Sequence, residues 1–384
     1  MKINSRLVAS VFIDTVNLLR LFVARLCVRE DLSCWLISER GYEAKDNAYV
    51  LFKWLLTNHP ELNVKYVIAA DSSDLYKFKG LESHLVFRNT WKHYLYLWKA
   101  RYLVSTHIVG FKPGIYYFYE LDKKFNFFRD KIKVFLQHGI THRFHSALCK
   151  DNINVDLFIC GAKLEYDFVL ENFGFSTDTV KYTGLCRFDN LHNKKTKRQV
   201  VLMPTWRKYI DRSNFDKSDY YLQFSSFLTS AKLHSVLSEY GYELIFYPHW
   251  EMQGNLKDFL QLKLPPSIII ADISYNVQTL LIDSELLITD YSSVMFDMLY
   301  MRKPVICFQF DQKLYNECHY SPSVLNTLDY ADVCDSVEDV IIALDRVLKS
   351  KIQFAPSRLK LIQELFPLYD DANTKRVYDE IIKK

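Results

Sequence analysis

A chain of 384 residues has room for two domains of ordinary size, each with its own core. With 49% hydrophobic and 24% charged residues, and only ten glycines and ten prolines, it is neither collagen-like nor disordered. A net charge of +4 permits an anionic partner without compelling one, and eight cysteines with no CxxC spacing read as buried thiols of a reducing compartment, not as a disulfide frame or zinc site.

The first element is RLVASVFIDTVNLLRLFVARLCVRE, Arg6 to Glu30. Asp14, Arg20 and Arg25 interrupt it, so it is not a membrane span, and no small-residue cleavage site follows it. At helical spacing Leu7, Val11, Leu18, Phe22 and Leu26 share a face, with Arg6, Arg20, Arg25 and Arg29 around it. Two readings stand: a basic amphipathic helix in the headgroup plane of a bilayer, or a helix packed on the first domain. Strands are expected at Cys34–Ser38, Lys65–Ala70, Leu85–Arg88, Tyr102–Thr106, Val134–Gln137, Leu157–Cys160 and Val180–Thr183, and helices at Asp46–Asn58 and Lys163–Phe173. Two stretches mix aromatic and basic residues in a way that suits a headgroup zone: Arg88 to Arg101, with Trp91, Trp98, Lys92 and Lys99, and Gly114 to Lys133.

LHNKKTKRQ, Leu191 to Gln199, is polar, basic and aperiodic, and reads as a linker. Beyond it strands are expected at Val200–Met203, Leu244–Tyr247, Ile268–Ala271, Leu286–Thr289 and Val305–Phe310, and helices at Tyr220–Tyr240, Tyr275–Ser284, Val294–Met301, Val337–Lys349 and Ala372–Lys384. Apolar strands alternating with helices give parallel sheets covered on both faces. The expected architecture is α/β: a Rossmann-like domain over residues 1–195 and another over 196–384, facing across a cleft, with the last helix able to return to the first domain. Ligands of such sheets bind beyond the carboxyl ends of the strands.

Four strand ends carry chemistry. In VFLQHGI, His138 follows a strand, Gly139 lets the chain turn, and an imidazole titrates near neutrality, as a general base must. In VVLMPTWRKY, Arg207 offers a planar fork that matches phosphate oxygens. In LIFYPHW, Pro248 stops the strand and sets the direction of His249. In LLITDYSSVMFD, Ser292 and Ser293 stand where a helix begins, a position that caps the helix and attracts phosphate, and Asp297 lies one turn on, where a carboxylate can accept from ribose hydroxyls. Each residue also has a structural reading, as a buried histidine, a surface ion pair or a simple cap. Together on strand ends of a double-Rossmann chain they favour a nucleotide-diphosphate site.

The segments HG (138–139), PTWR (204–207), YPH (247–249), LLITDYSSVMFD (286–297) and KPVICFQFD (303–311) resemble the CDP-glycerol glycerophosphotransferase family of teichoic-acid and capsule polymerases. GLCRFDNL (184–191) resembles its Gly-x-x-Arg-x-Asp segment, and ISERGYEAKDNAYVLFKWL from Ile37 its start. The resemblance implies a GT-B-like fold and transfer of an alditol phosphate from CDP-glycerol or a related CDP-alditol to a hydroxyl of a lipid-linked glycan or polymer. It gives His138 the role of base and His249 that of a donor-pyrophosphate ligand. Arg207, Thr289, Asp290, Ser292 and Ser293 become donor-phosphate positions, and Gly139, Arg143, Arg187 and Asp189 lie on the acceptor side. Ile140-Thr141-His142-Arg143 stands where the family often has Thr-Pro-Leu-Lys after the His-Gly pair, Asn276-Val277 where it has Asp-Ile, and Glu317-Cys318-His319-Tyr320 where it has Arg-Gly-x-Tyr, so acceptor and alditol stay open.

No Asp-x-Asp pair occurs, so no required cofactor is expected, and any Mg²⁺ would travel with the substrate phosphates. A lipid-linked acceptor implies a cytoplasmic enzyme peripheral on the inner face of the membrane. Two rivals remain: a GT-B glycosyltransferase or sugar-nucleotide epimerase, and a non-enzymatic basic-aromatic binding protein. A nucleic-acid partner is not expected, since no basic run exceeds KKTKR.

Overall fold

A computed structural model of the chain describes residues 5–28, 33–108, 110, 112–115, 118–192, 194–318 and 323–384. His319 and Tyr320, in the segment that departs from the family pattern, lie outside the described residues, as do the side chains of Leu7 and Val11. The chain divides into two compact units. Unit 1 comprises the described residues of Met1–Ile140, Ser146–Asn190 and Asp370–Lys384; unit 2 comprises Thr141–His145 and Leu191–Tyr369. The short segment after the His-Gly pair thus groups with unit 2, and the last helix with unit 1.

The sheet of unit 1 has strands β1 (Cys34–Ser38), β2 (Val64–Ile68), β3 (Leu85–Phe87), β4 (Ala100–Ser105), β5 (Ile132–Phe135), β6 (Leu157–Cys160) and β7 (Val180–Tyr182). They are parallel, in the order β3-β2-β1-β4-β5-β6-β7. Both faces are covered, which is why the strands read as continuous apolar runs. Along β1, Trp35 and Ile37 join one core with Leu51, Phe52 and the C-terminal Val377 and Ile381. Leu36, between them, joins the opposite core with Leu97, Leu103 and Leu21.

The helices of unit 1 are α1 (Ser5–Cys27), α2 (Asn47–Asn58), α3 (Trp91–Lys99), α4 (Phe118–Phe125) and α5 (Lys163–Asn172). The side of α1 that packs on the domain only partly overlaps the apolar face read from the sequence. Leu21 and Ala24 are buried and Leu18 packs beside them, the Leu21 carbonyl accepts from Trp98 Nε1 at 2.8 Å, and Leu26 is 82% exposed. Both sides of α1 are apolar, so periodicity alone does not choose between them. Trp98, read as an interfacial aromatic, is buried in the core with Phe118 and Phe128.

Unit 2 repeats the plan with β8 (Gln199–Leu202), β9 (Glu243–Phe246), β10 (Ile268–Ile270), β11 (Leu286–Thr289), β12 (Val305–Phe308) and β13 (Asp332–Cys334), ordered β10-β9-β8-β11-β12-β13 and parallel throughout. Its helices are α6 (Asp219–Thr229), α7 (Ala231–Tyr240), α8 (Leu256–Leu260), α9 (Val277–Asp283), α10 (Val294–Tyr300), α11 (Gln312–Cys318), α12 (Thr327–Tyr330), α13 (Val337–Lys349) and α14 (Pro356–Leu365); α15 (Asn373–Ile382) completes unit 1. The single helix expected over 220–240 is broken at Ser230, whose extended backbone ends α6 while its hydroxyl accepts from Leu233 N to start α7. Three-residue β13, half-exposed, lacks the apolar run that marks the other strands.

Candidate active site

In each sheet the strand order reverses beside its first strand, between β1 and β4 in unit 1 and between β8 and β11 in unit 2. The carboxyl ends flanking such a reversal are where α/β sheets hold ligands.

At that edge of unit 1, β5 runs into Gln137, which takes φ +61°, a left-handed backbone costing about 1–3 kcal/mol for a residue with a side chain. The chain bends at His138 and Gly139, as expected, and the residue just before them, Gln137, carries the left-handed backbone. The surroundings fix this conformation. Asn47, fully buried at the start of α2, donates from Nδ2 to the Gln137 carbonyl at 2.7 Å, and its Oδ1 accepts from Arg187 N at 2.9 Å. Arg187 pairs with Asp46 at 3.0 Å and donates to the His138 carbonyl at 3.2 Å. Arg187, expected on the acceptor side, is therefore a buried brace for the His138 turn.

The His138 side chain emerges exposed from this brace and lies flat against His107, centroids 4.3 Å apart and planes at 17°. His107 sits just past the end of the neighbouring strand β4. Its Nε2 accepts from Arg40 Nε at 3.0 Å, which leaves the proton on Nδ1, donating to Thr106 Oγ1 at 2.9 Å. Burial, then His138, then Arg40 push its pKa down to about 2, so His107 is a neutral ring at any working pH. Beside it the Glu39 carboxylate, just past β1, accepts from the backbone N–H groups of Lys45, Asp46 and Tyr49. Burial and the Asp46 carboxylate raise its pKa to about 8.

Asp189 also proves structural: it accepts from the backbone N–H groups of Asn373 and Thr374, each at 2.8 Å, and so caps α15. Gly184 of the same segment has φ +80°, and a Cβ there would lie 1.7 Å from Asn373 Oδ1. The Gly-x-x-Arg-x-Asp segment thus anchors the last helix and braces the His138 turn.

At the corresponding edge of unit 2 the charges are buried. Arg207 donates to Asp290 at 2.7 Å and grips Asp311 in two places, at 2.6 and 3.2 Å, with no exposed guanidinium surface. Its fork is spent on carboxylates, so Arg207 is not presented to a phosphate as the sequence suggested. Burial disfavours the Arg207 charge, but Asp290 and Asp311 outweigh burial and raise its pKa well above the ordinary value. Burial alone would raise Asp311; Arg207, Tyr209 and Tyr291 leave it below the usual carboxylate range. Asp290 also accepts from Thr205 N and Oγ1, and Tyr291 donates from its hydroxyl to Asp311 at 2.9 Å. Thr289 is fully buried, its hydroxyl donating to the Met203 carbonyl. Thr289, Asp290 and Arg207 thus form the floor under the loop and do not contact its outside. Asp297, expected to face ribose, is buried as well.

Ser292 and Ser293 are what this floor leaves half-exposed. The expected caps are weak or missing: Ser293 makes no side-chain capping bond, and the Ser292 hydroxyl accepts from Val294 N only at 3.4 Å. Among the described residues the Ser293 hydroxyl has no hydrogen-bond partner. His249, past the end of β9, accepts from Glu251 N at its Nδ1, at 3.2 Å. That bond places the ring proton on Nε2, so the ring is a hydrogen-bond donor at that atom. Arg143, expected on the acceptor side of the first domain, belongs to unit 2, over the stacked rings of Tyr291 and Tyr315. Among the described residues no group of three His, Cys, Asp or Glu side chains is arranged to hold a metal ion.

Comparison with known proteins adds a family match, two relatives and two solved structures. The family model described as CDP-Glycerol:Poly(glycerophosphate) glycerophosphotransferase matches residues 19–383. The minor teichoic acid biosynthesis protein GgaB of Bacillus subtilis (strain 168) is 27% identical over 366 residues, 91% of this chain and 39% of that protein. The teichoic acid glycerol-phosphate primase of the same organism is 25% identical over 186 residues, 48% of this chain and 43% of that protein. The chain thus spans about two fifths of GgaB's length, and its match to the primase covers a similar share. Among solved structures, the wall teichoic acid polymerase TagF aligns with a TM-score of 0.65 at 15% identity, covering 99% of this chain and 98% of that one. The UDP-GlcNAc 2-epimerase of Methanocaldococcus jannaschii aligns at 0.57 and 13%, covering 92% and 100%. At such identities the likeness speaks for the fold alone, which is GT-B-like.

Proposed function

The chain belongs to the CDP-Glycerol:Poly(glycerophosphate) glycerophosphotransferase family, and we propose that it transfers an alditol phosphate, glycerol phosphate in the first instance, from a CDP-activated donor to a hydroxyl acceptor in teichoic-acid or capsule synthesis. The observation that carries this reading is the family match, which runs unbroken through both units and every strand-end motif. The acceptor oxygen attacks the alditol-bearing phosphorus, the bond to the CMP phosphate breaks, and CMP departs with the electron pair. His138 takes the acceptor proton, a step worth about 10²–10⁴-fold. His107 holds its ring in place and, being neutral, does not compete for that proton. On the donor side His249 Nε2–H and the hydroxyls of Ser292 and Ser293 bind the pyrophosphate, on a loop fixed by Arg207, Asp290 and Asp311. Any Mg²⁺ is expected to arrive on the substrate phosphates.

The test is a thermal-shift panel of CDP, CMP, UDP and GDP, since a ligand of the native state raises its stability. CDP should give the largest shift. A preference for UDP would sink this reading in favour of a sugar-nucleotide enzyme.

A lipid-linked acceptor also requires a membrane surface, and α1 offers one. Phe12, Leu19, Val23 and Leu26 on its outer side are 69, 61, 50 and 82% exposed. No described helix is long and apolar enough to cross a bilayer. Binding in the headgroup plane predicts co-sedimentation with anionic vesicles that is lost in a Leu19→Glu, Leu26→Glu double variant; equal sedimentation of both would refute it.

A further inference from the structure

Unit 1 contains a cavity of about 280 Å³ that the reading above does not use. Its wall includes four lysines, Lys112, Lys123, Lys133 and Lys150, against two carboxylates, Asp122 and Asp151. Two of the lysines have close partners: Lys112 lies 2.7 Å from Asp122, and Lys123 donates to Asn152 Oδ1 at 2.8 Å. Lys133 is different. It is 5% exposed, and among the described residues its Nζ donates only to Asn126 Oδ1 at 3.3 Å and the Phe128 carbonyl at 3.5 Å. Both distances exceed the ordinary N–H···O range, so three donors share two weak, uncharged acceptors. Burial lowers its pKa, against the opposing pull of Asp156 and Asp122. A buried ammonium so poorly compensated is costly unless an anion completes its shell. At roughly 30 Å³ per water, the cavity holds on the order of nine waters, enough for a phosphate with polyol on either side.

The cavity is also lined by His107, the ring that stacks on His138. We propose that this lysine cavity binds a phosphate group and that, in the reaction assigned above, it takes the phosphodiester next to the acceptor hydroxyl. Poly(glycerophosphate), which the family's description names, carries such a diester, and a neutral sugar is a poor substitute. The second half rests on the proposed function; phosphate binding does not.

The test measures binding, not turnover. Inorganic phosphate and a synthetic diglycerol phosphodiester are titrated calorimetrically into the wild-type chain, Lys133→Met and Lys123→Gln. Both probes should bind the wild type. Lys133→Met removes a charged hydrogen-bond donor and should weaken both about tenfold or more. Lys123→Gln, at an exposed position, should weaken them about two- to fivefold. Should Lys133→Met fail to fold, Lys123→Gln and the exposed Lys150→Gln decide the matter. Absence of binding at millimolar concentration, or equal binding by all folded variants, overturns the proposal. Binding of inorganic phosphate without the diester overturns the acceptor assignment alone. A failed CDP panel leaves these titrations unaffected, so the two readings fail separately.

Discussion

Two sheets of the same strand order end in opposite kinds of chemistry. At the carboxyl edge of unit 1, an exposed imidazole follows a strained residue, Gln137, and its neighbour His107 is held neutral chiefly by burial, with His138 and Arg40 adding to it. At the same edge of unit 2, Arg207 and Asp290 are buried and paired, with Asp311 partly buried against them, while the half-exposed groups without a charge are two serine hydroxyls and a histidine whose Nδ1 accepts a backbone bond. The difference matches what the proposed function asks of each edge. A base needs an accessible lone pair and no fixed charge competing for its proton. A phosphate cradle needs donors whose positions do not relax when a dianion arrives, and a buried ion network supplies that rigidity.

The sharpest way to break this contrast is to exchange readouts. Arg207→Met removes the central cation and leaves Asp290 and Asp311 buried together. Losing one partner of such a network costs about 3–5 kcal/mol, so denaturant unfolding should shift strongly. A variant that also carries Asp290→Asn and Asp311→Asn should recover part of the loss, because the orphaned charges go with it. His138→Ala should do the reverse: turnover falls about 10²–10⁴-fold while stability and CDP binding hold. If Arg207→Met instead leaves stability untouched and only weakens donor binding, the guanidinium is a phosphate ligand after all.

Most of the scaffold could be read in the chain because covered parallel strands must be apolar on both sides. Cys34–Ser38, Leu157–Cys160 and Leu286–Thr289 were expected with the bounds they have. What could not be read depended on distance along the chain. An arginine after a strand looks like a phosphate ligand until Asp311, 104 residues on, is seen to occupy its fork. Asp189 looks like a site carboxylate until Asn373, 184 residues on, turns out to need a cap. His107 carries the same signature as His138, a histidine just past a strand, but no glycine follows it to draw notice. The glycine that did draw notice, Gly139, lies two residues past the strained Gln137. The orientation of α1 was hidden for a different reason: both of its sides are apolar, and only contact with Trp98 selects one.

A smaller effect tests whether His107 is neutral. Its folded pKa of about 2 lies below the ordinary 6.5, so below pH 6.5 the unfolded chain takes a proton that the folded chain refuses. The stability from this residue is complete above pH 6.5 and is lost as pH falls toward 2, by up to about 1.4 kcal/mol per pH unit. His107→Phe keeps a ring against His138 but cannot titrate. Between about pH 6 and 4 its unfolding free energy should fall less steeply than that of the wild type by up to that slope. Unit 2 has a counterpart in His142, taken to about 3 by burial and Arg143, so His142→Phe should flatten the profile in the same sense. Parallel profiles for wild type and His107→Phe would mean that His107 is protonated in the fold.

The smallest expected change is also the one that separates a cap from a ligand at the start of α10. Had Ser293 been the cap its position suggests, Ser293→Ala would cost about 0.5–2 kcal/mol of stability with or without nucleotide. Its hydroxyl caps nothing, so the ligand-free protein should unfold at the wild-type denaturant concentration. With CDP present, the hydroxyl's loss should remove one hydrogen bond to phosphate, about 0.5–1.5 kcal/mol, or roughly two- to twelvefold in affinity. The measurement is the difference between liganded and unliganded unfolding midpoints for the two proteins. A drop in the unliganded midpoint alone would return Ser293 to the structural role, and the phosphate contact would then fall to Ser292 and His249.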